Sequence, residues 1–466
     1  MLPAAPSQWA SLAGASETFL QDVAQLLPLH ERLRCRAVCR AWRAALSAPA
    51  AWQRVEVMVR DADECARELR AAAALAGGAL LGLRLSFCAS FQPYGREDAR
   101  DRLMVAVAEH AAALEELSLA ARREESFSPL SWRQAVGAAH LRTVLAAAPR
   151  LRSLHADVAC GSEEAGTLLR NEEPFRALRL RTLLLYCDNK LALEHALAAA
   201  GGHASLQRLG VSCWAAKEPE IVAAVAELAH AVRLRHVALL CDHTGCLNDA
   251  VPALARLLAA HSLVALEVEQ RFYSCVLDDC DPDPDRRGGA SPALAFADAL
   301  RGSRLCALRM AGFDFPRGPD AATRVFAALV GHPTLRVLNL CRSGHFRVFC
   351  GGRIIPEPIP DSAHAHLGTL LGALLTSSDG RLEELHVQLD DVGMRPLLDA
   401  LRRATRLRVL SCSVGSGALA ADVLLPAARA NASLRRLTCA NTRWPDDASG
   451  AAAVQEAEAL VAQRSG

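Results

Sequence analysis

One apolar template recurs along this chain and limits its fold more than any other feature. The template is L-x-x-L-x-L, in which Val, Ala, Met or Cys also serves at the last position. It matches Leu80-Leu83-Leu85, Leu114-Leu117-Leu119, Leu151-Leu154-Ala156, Leu180-Leu183-Leu185, Leu206-Leu209-Val211 and Leu234-Val237-Leu239. It continues at Leu263-Leu266-Val268, Leu305-Leu308-Met310, Leu335-Leu338-Leu340, Leu382-Leu385-Val387, Leu407-Leu410-Cys412 and Leu434-Leu437-Cys439. Through most of the array the matches step by about 25 to 30 residues, a period that marks a stacked repeat. The end of each match alternates, so it makes a short strand with one apolar face. Before the strand comes a helical stretch, as in Asp249–Ser262, where Val251, Leu254, Leu257 and Leu258 fall at helical spacing. Asp249 is a candidate cap, and Pro252 lies in the first turn, where its missing N–H costs nothing. Neither element buries its apolar side alone. Stacking buries both, with parallel strands inside and helices outside.

The pattern resembles leucine-rich repeats of the long, helix-containing kind. The resemblance implies an α/β solenoid, a horseshoe of about twelve units over residues 80–440. Composition agrees: 52% of residues are apolar but only 5% aromatic, which suits layers of small aliphatic side chains. Cys88, Cys187, Cys213, Cys241 and Asn441 stand two or three positions past the last template residue. Such repeats often place Asn or Cys there to fill the turn. The sixteen cysteines are therefore expected to be reduced, buried thiols. Dense disulfides belong to small secreted domains, and no C-x-x-C pair suggests a metal.

Two steps are too long. The segments "QRFYSCVLDDCDPDPDRRGGASP" and "CRSGHFRVFCGGRIIPEPIPDSA" are insertions, near residues 270–290 and 341–361. Insertions in such arrays map to loops on one face, often the binding face. These two leave from the same edge with one strand between them, and are expected to lie near each other. They hold aromatics and arginines in a chain poor in aromatics, a pairing typical of interface anchors. Arg271, Phe272, Tyr273, Phe346, Arg347 and Phe349, with Arg309 on the intervening strand, are the candidate target-binding residues; plain surface insertions are the alternative. The acidic run Asp278, Asp279, Asp281, Asp283 and Asp285 lacks the glycine and final carboxylate of a calcium loop, and reads as solvated. Arginine follows the first leucine at Arg152, Arg181, Arg235, Arg336, Arg408 and Arg435. That stripe is either a basic ladder for an acidic or phosphorylated ligand or a solvated consensus position; Glu115 and Glu383 interrupt it.

Residues 14–57 differ in character. Leu20, Val23 and Leu27 form one helical stripe, and Val38, Trp42 and Leu46 a second. Pro28 stands between them, and Trp52 follows the turn-like "SAPAAW". Three short helices bury two tryptophans and many leucines incompletely, so an apolar face is expected to be left for a partner. The segment resembles an F-box: Leu27-Pro28 between the first helices, then Val38, Cys39 and Trp42, and a closing Trp52. It departs from that pattern at its start, where Ala15-Ser16 replaces the usual Leu-Pro. The resemblance implies docking to the Skp-type adaptor of a cullin ubiquitin ligase, with Leu27, Pro28, Leu29, Leu33, Val38, Cys39 and Trp42 making or supporting the contact.

Residues 1–13 are expected to be a flexible tail, 58–79 a linker with an N-terminal cap helix, and 441–466 a C-terminal cap helix. No glycine-rich phosphate loop, G-x-S-x-G elbow or H-E-x-x-H is present. His243, beside Asp242 and Cys246, lies in a strand-to-helix turn. The chain is therefore expected to be non-catalytic, with no cofactor and no metal. Formal net charge is +1, which gives no long-range attraction to nucleic acid or anionic lipid. No apolar run suits a membrane span, and the basic n-region of a secretory signal is missing. The expectation is a cytoplasmic or nuclear substrate receptor of an SCF-type ligase, binding an unknown protein target on its repeats. The alternative is a ribonuclease-inhibitor-like scaffold with no ligase link.

Overall fold

A computed structural model describes residues 17–25, 27, 29–87, 97–121, 136–159, 177–187, 193–194, 197–198, 200–213, 218–241, 250–270, 275–276, 292–311, 313–314, 319–340, 349–350, 353–354, 361–441 and 448–464. The chain divides into two compact units, Met1–Val211 and Ser212–Gly466. The proposed tail 1–13, the acidic run 278–285, Cys88, Asp249 and the trio Asp242, His243 and Cys246 lie outside the described residues.

The first unit opens with helices α1 (Glu17–Gln25), α2 (Leu29–Val38) and α3 (Arg40–Ala45) and a 3-10 turn at Pro49–Trp52. Strand β1 (Arg54–Val59), helix α4 (Ala62–Leu75), β2 (Gly82–Phe87), α5 (Glu97–Glu109), β3 (Glu116–Ala121), α6 (Ala138–Ala147), β4 (Ser153–Ala159), β5 (Thr182–Cys187) and β6 (Arg208–Cys213) follow. Strands β1 to β5 pair in parallel, each with its neighbour in sequence. The second template leucines stand side by side, Leu83 on Leu117, Leu117 on Leu154 and Leu154 on Leu183. All four are buried. The first leucines, Leu80, Leu114, Leu151 and Leu180, are buried as well. They seal the turn that brings each helix back to the sheet.

Two boundaries differ from expectation. The sheet starts one strand earlier than the template, because β1 pairs with β2 in full register, Val55 to Leu83 and Val57 to Leu85. Valines occupy the leucine positions, which hid β1 from the pattern. Residues 54–57 are therefore strand. Helix α4 then joins β1 to β2 as an ordinary crossover, not a separate cap. At its start the Asp61 carboxylate accepts from the Asp63 and Glu64 amides at 3.0 Å, the usual N-cap arrangement.

The second unit repeats the scheme through α7 (Glu218–Val232), β7 (His236–Cys241), α8 (Val251–Leu258), β8 (Ala265–Gln270), α9 (Pro292–Gly302), β9 (Ala307–Ala311), α10 (Pro319–Leu329), β10 (Val337–Leu340), α11 (Asp361–Thr376), β11 (Glu384–Val387), α12 (Asp391–Leu401), β12 (Val409–Val414) and β13 (Arg436–Asn441). Its strands again pair in parallel in chain order. Val237, Leu266, Leu308, Leu338, Leu385, Leu410 and Leu437 form one buried row. In α8, Val251, Leu254, Leu257 and Leu258 are the buried face, and the proline sits in the first turn. Backbone positions put Cys187, Cys213, Cys241 and Asn441 at the last residue of their strands; their side chains lie outside the described residues.

Helix α13 (Ala448–Gln463) covers β13, and the Glu458 carboxylate accepts from the Cys439 amide at 2.8 Å. The last strand thus has a side-chain partner for an edge N–H, as an end cap requires. Among the described residues the cysteines are free thiols, no cluster of His, Cys, Asp and Glu suits a metal ion, and no helix is long and apolar enough to cross a membrane.

A further device recurs three residues before the first template leucine. Asn431 donates to the Leu401 and Ala404 carbonyls at 2.6 and 2.7 Å and accepts from the Ser433 and Leu434 amides. Three repeats earlier, His332 does the same work. Its Nε2 faces the Leu300 carbonyl at 3.1 Å, and its Nδ1 accepts from the Leu335 amide at 3.2 Å. Only a neutral ring with the proton on Nε2 satisfies both sides. Burial pushes the pKa values of His332 and of the buried His203 below the ordinary histidine value, against the smaller opposing effect of their carbonyl partners. The unfolded chain then takes up protons first. This stability is complete above the ordinary histidine pKa and is lost as pH falls below it. Thermal denaturation is expected to show a midpoint several degrees lower at pH 5 than at pH 7.5. His332→Asn, which copies Asn431, is expected to narrow that difference; an unchanged pH slope would refute the assignment.

Candidate functional site

The N-terminal helices are held by one buried cation. Arg32 on α2 is 1% exposed. Its Nε donates to the Leu27 carbonyl at 2.8 Å, and one terminal nitrogen reaches the carbonyls of Ala51 at 2.8 Å and Arg54 at 2.6 Å. The guanidinium therefore ties the entry to α2, the 3-10 turn and the start of β1 to one point. Loss of solvation lowers its pKa to about 10, partly opposed by Glu56; the group stays charged at neutral pH. Trp52 lies against the same turn and donates its indole N–H to the Leu46 carbonyl at 2.7 Å.

Trp42 and Trp52 are both fully buried, as are Leu20, Ala24 and Leu46. This corrects the expectation that three short helices leave the tryptophans partly uncovered. Helix α3, which carries Trp42, packs on α1 and α2, and the 3-10 turn that ends on Trp52 packs on α1, β1 and α4, so the repeat sheet supplies the missing cover at Trp52. Of the seven candidate docking residues, Leu27, Leu29 and Trp42 are core residues, 8%, 1% and 0% exposed. They shape the domain and offer no surface to a partner. Leu33 and Cys39 are half-buried and face outward in part. The side chains of Pro28 and Val38 lie outside the described residues. Sequence reasoning missed Phe19 on α1, which is 48% exposed. It sits one residue from the buried Leu20, so a period-based stripe passes over it.

The second candidate surface is the sheet face of the second unit opposite the helices. In-register pairing lines up Glu267 on β8, Arg309 on β9, Asn339 on β10, His386 on β11 and Ser411 on β12. These positions alternate with the buried leucine row, so all project to the same side of the sheet. His236 approaches Glu267 at 3.4 Å, and His386 approaches Glu384 at 3.8 Å. Arg309 is half-buried within this row. The result is a polar, mixed-charge ladder along the sheet. It offers no nucleophile paired with a base.

Of the other candidate target-binding residues, Arg271, Phe272, Tyr273, Phe346 and Arg347 lie outside the described residues, as does the Phe349 side chain. Backbone of the first insertion, Cys275–Val276, pairs in parallel with Phe313–Asp314 just after β9. In the second, Phe349–Cys350 pairs with Arg353–Ile354 as a hairpin. Among the described residues each insertion therefore has its own pairing, and none joins the two.

Comparison with known proteins bears on the first of these surfaces. No curated protein matches the chain. Among solved structures, a chain from the crystal structure of the Rad7 and Elc1 complex in yeast aligns over 83% of this chain and 86% of its own, with 14% identity and a TM-score of 0.43. The family model described as F-box-like matches residues 18–57, the span from α1 into β1.

Proposed function

We propose that this chain is the substrate-recognition subunit of an SCF-type ubiquitin ligase. The single observation that carries the reading is the F-box-like match over residues 18–57, on a helical domain built directly onto a repeat sheet. The outer side of α1 to α3, with Phe19, Leu33 and Cys39, docks to a Skp-type adaptor and through it to a cullin. The polar face of the second unit holds the protein to be modified. The chain contributes proximity, and the bond-forming steps belong to other subunits. Such a receptor works in the cytoplasm or nucleus.

The docking half is tested by affinity purification of the full chain from cells. The Skp-type adaptor and a cullin are expected to co-purify. Phe19→Asp is expected to cut their recovery at least tenfold while the melting temperature stays within about 3 °C, because changes of exposed side chains alter stability little. Absence of both proteins from the wild-type eluate would leave a binding scaffold without a ligase link.

A further inference from the structure

The arginine stripe of the sequence becomes a groove in the second unit. Arg336, Glu383, Arg408 and Arg435 each immediately follow a first template leucine. Their backbones form consecutive rungs: the Glu383 amide donates to Arg336, that of Arg408 to Glu383 and that of Arg435 to Arg408, at 2.7–2.8 Å. Rungs at strand spacing lie about 4.8 Å apart, so Arg336 to Arg435 spans about 14 Å. Arg381 and Arg406, each just before a template leucine, flank the row. Together these six side chains line a concavity of about 700 Å³.

Five guanidinium groups and one carboxylate share this space. The carboxylate is partly used, since Arg336 lies 3.7 Å from Glu383. Arg406 is held in place by a 2.6 Å bond to the Gly380 carbonyl, and Arg435 by a 3.3 Å bond to that of Arg464. All five arginines are exposed. The ion pairs and hydrogen bonds that place them leave an excess of positive charge, and like charges crowded this way repel until an anion joins them.

We propose that this groove binds an oxyanion-bearing segment of a protein, either phosphorylated or rich in carboxylates. Planar guanidinium groups match phosphate and carboxylate in a two-pronged geometry that a lysine does not offer. A row of five guanidinium groups spread over about 14 Å is longer than one small anion, and suits a ligand with several anionic groups. The 14 Å row matches about four residues of extended chain at 3.3 Å each. A nucleic acid fits less well: with 52 basic and 51 acidic residues in the chain, there is no net excess of positive charge to draw in a polyanion.

The proposal rests only on the target-binding half of the reading above, and its test contains no adaptor, so the two fail separately. Purified full chain is immobilised and exposed to degenerate octapeptide libraries carrying two fixed phosphoserines, two fixed glutamates or two fixed serines, and to oligo-dT. At least tenfold greater retention of the phosphoserine or glutamate library over the serine library is expected, falling as salt rises. Preference for phosphoserine marks a modification-dependent ligand; equal retention marks an acidic one. Arg336→Gln with Arg408→Gln is expected to remove at least nine-tenths of the gain, and adding Arg435→Gln the rest, with melting temperature unchanged. The proposal is overturned if neither anionic library exceeds serine, if the double variant retains as much as wild type, or if oligo-dT binds as strongly as the best library.

Discussion

Replacing Gly368 by alanine is expected to destabilise the second unit more than any other change of a single methyl group. Gly368 and Gly372 lie one turn apart on α11, facing α12. A Cβ on Gly368 would overlap the Gly393 carbonyl and stand 2.9 Å from Pro396 Cγ. Neither obstacle is a flexible side chain: one is backbone, and the other is a ring whose position the helix sets. The helices must move apart, which opens the contact along their length. Overpacking of this kind costs about 3 kcal/mol, a large share of the net stability of a domain. Gly372 is a graded control. Its Cβ would lie 3.0 Å from the Ala400 Cβ and 3.3 Å from the Pro396 carbonyl, a smaller misfit offset by about 1 kcal/mol of helix propensity. Urea unfolding followed by circular dichroism is expected to rank wild type and Gly372→Ala close together and Gly368→Ala far below. Equal midpoints for the two variants would contradict the packing described here.

The second large effect is expected at Arg32. Methionine keeps most of the length and apolar stem of that side chain but removes every donor. The Leu27, Ala51 and Arg54 carbonyls lose their bonds to it inside the protein, and stranded buried acceptors cost about 1–3 kcal/mol each when nothing replaces the donor. A net loss of about 3 kcal/mol is expected. It is concentrated in residues 17–59, because the three carbonyls belong to the segments that Arg32 ties together. Hydrogen exchange is expected to rise across α1 to α3 and β1, while α11, α12 and β10 to β13 keep their protection. Adaptor recovery falls with it. Arg32→Lys, with a single ammonium, reaches fewer of the three carbonyls and is expected to fall between. Protection of α1 to α3 that survives Arg32→Met would show that the hydrophobic contacts of Trp42 and Trp52 suffice.

These two residues also mark where reading the chain by pattern stops. Arg32 lies in a stretch with four other arginines between residues 34 and 43, and nothing in spacing separates the one that is buried from those in solvent. Gly368 and Gly372 form a small-x-x-x-small pair that is visible in sequence, but its partner Gly393 is not. Trp42 is covered by α1 and α2, and the turn that holds Trp52 by α1, β1 and α4. The leucine template overlooks β1 because valines fill its leucine positions. Phe19, 48% exposed, is passed over for a different reason: it lies one residue from the buried Leu20, off the helical stripe. An F-box pattern names residue types, and several of those residues, Leu27, Leu29 and Trp42 among them, are buried in the core of the domain.

The repeating leucines, the strand-then-helix alternation, the apolar face of α8 and the closing helix α13 were determined by sequence alone. Each depends on residues within one turn or one strand of each other, and backbone periodicity converts spacing into a face directly. Tertiary structure decided which faces are covered, which arginines gather and which glycines touch. Arg336 and Arg435 are 99 positions apart in the chain and three rungs apart in the sheet. That distance is set by how successive repeats stack, through contacts between side chains that no local period encodes.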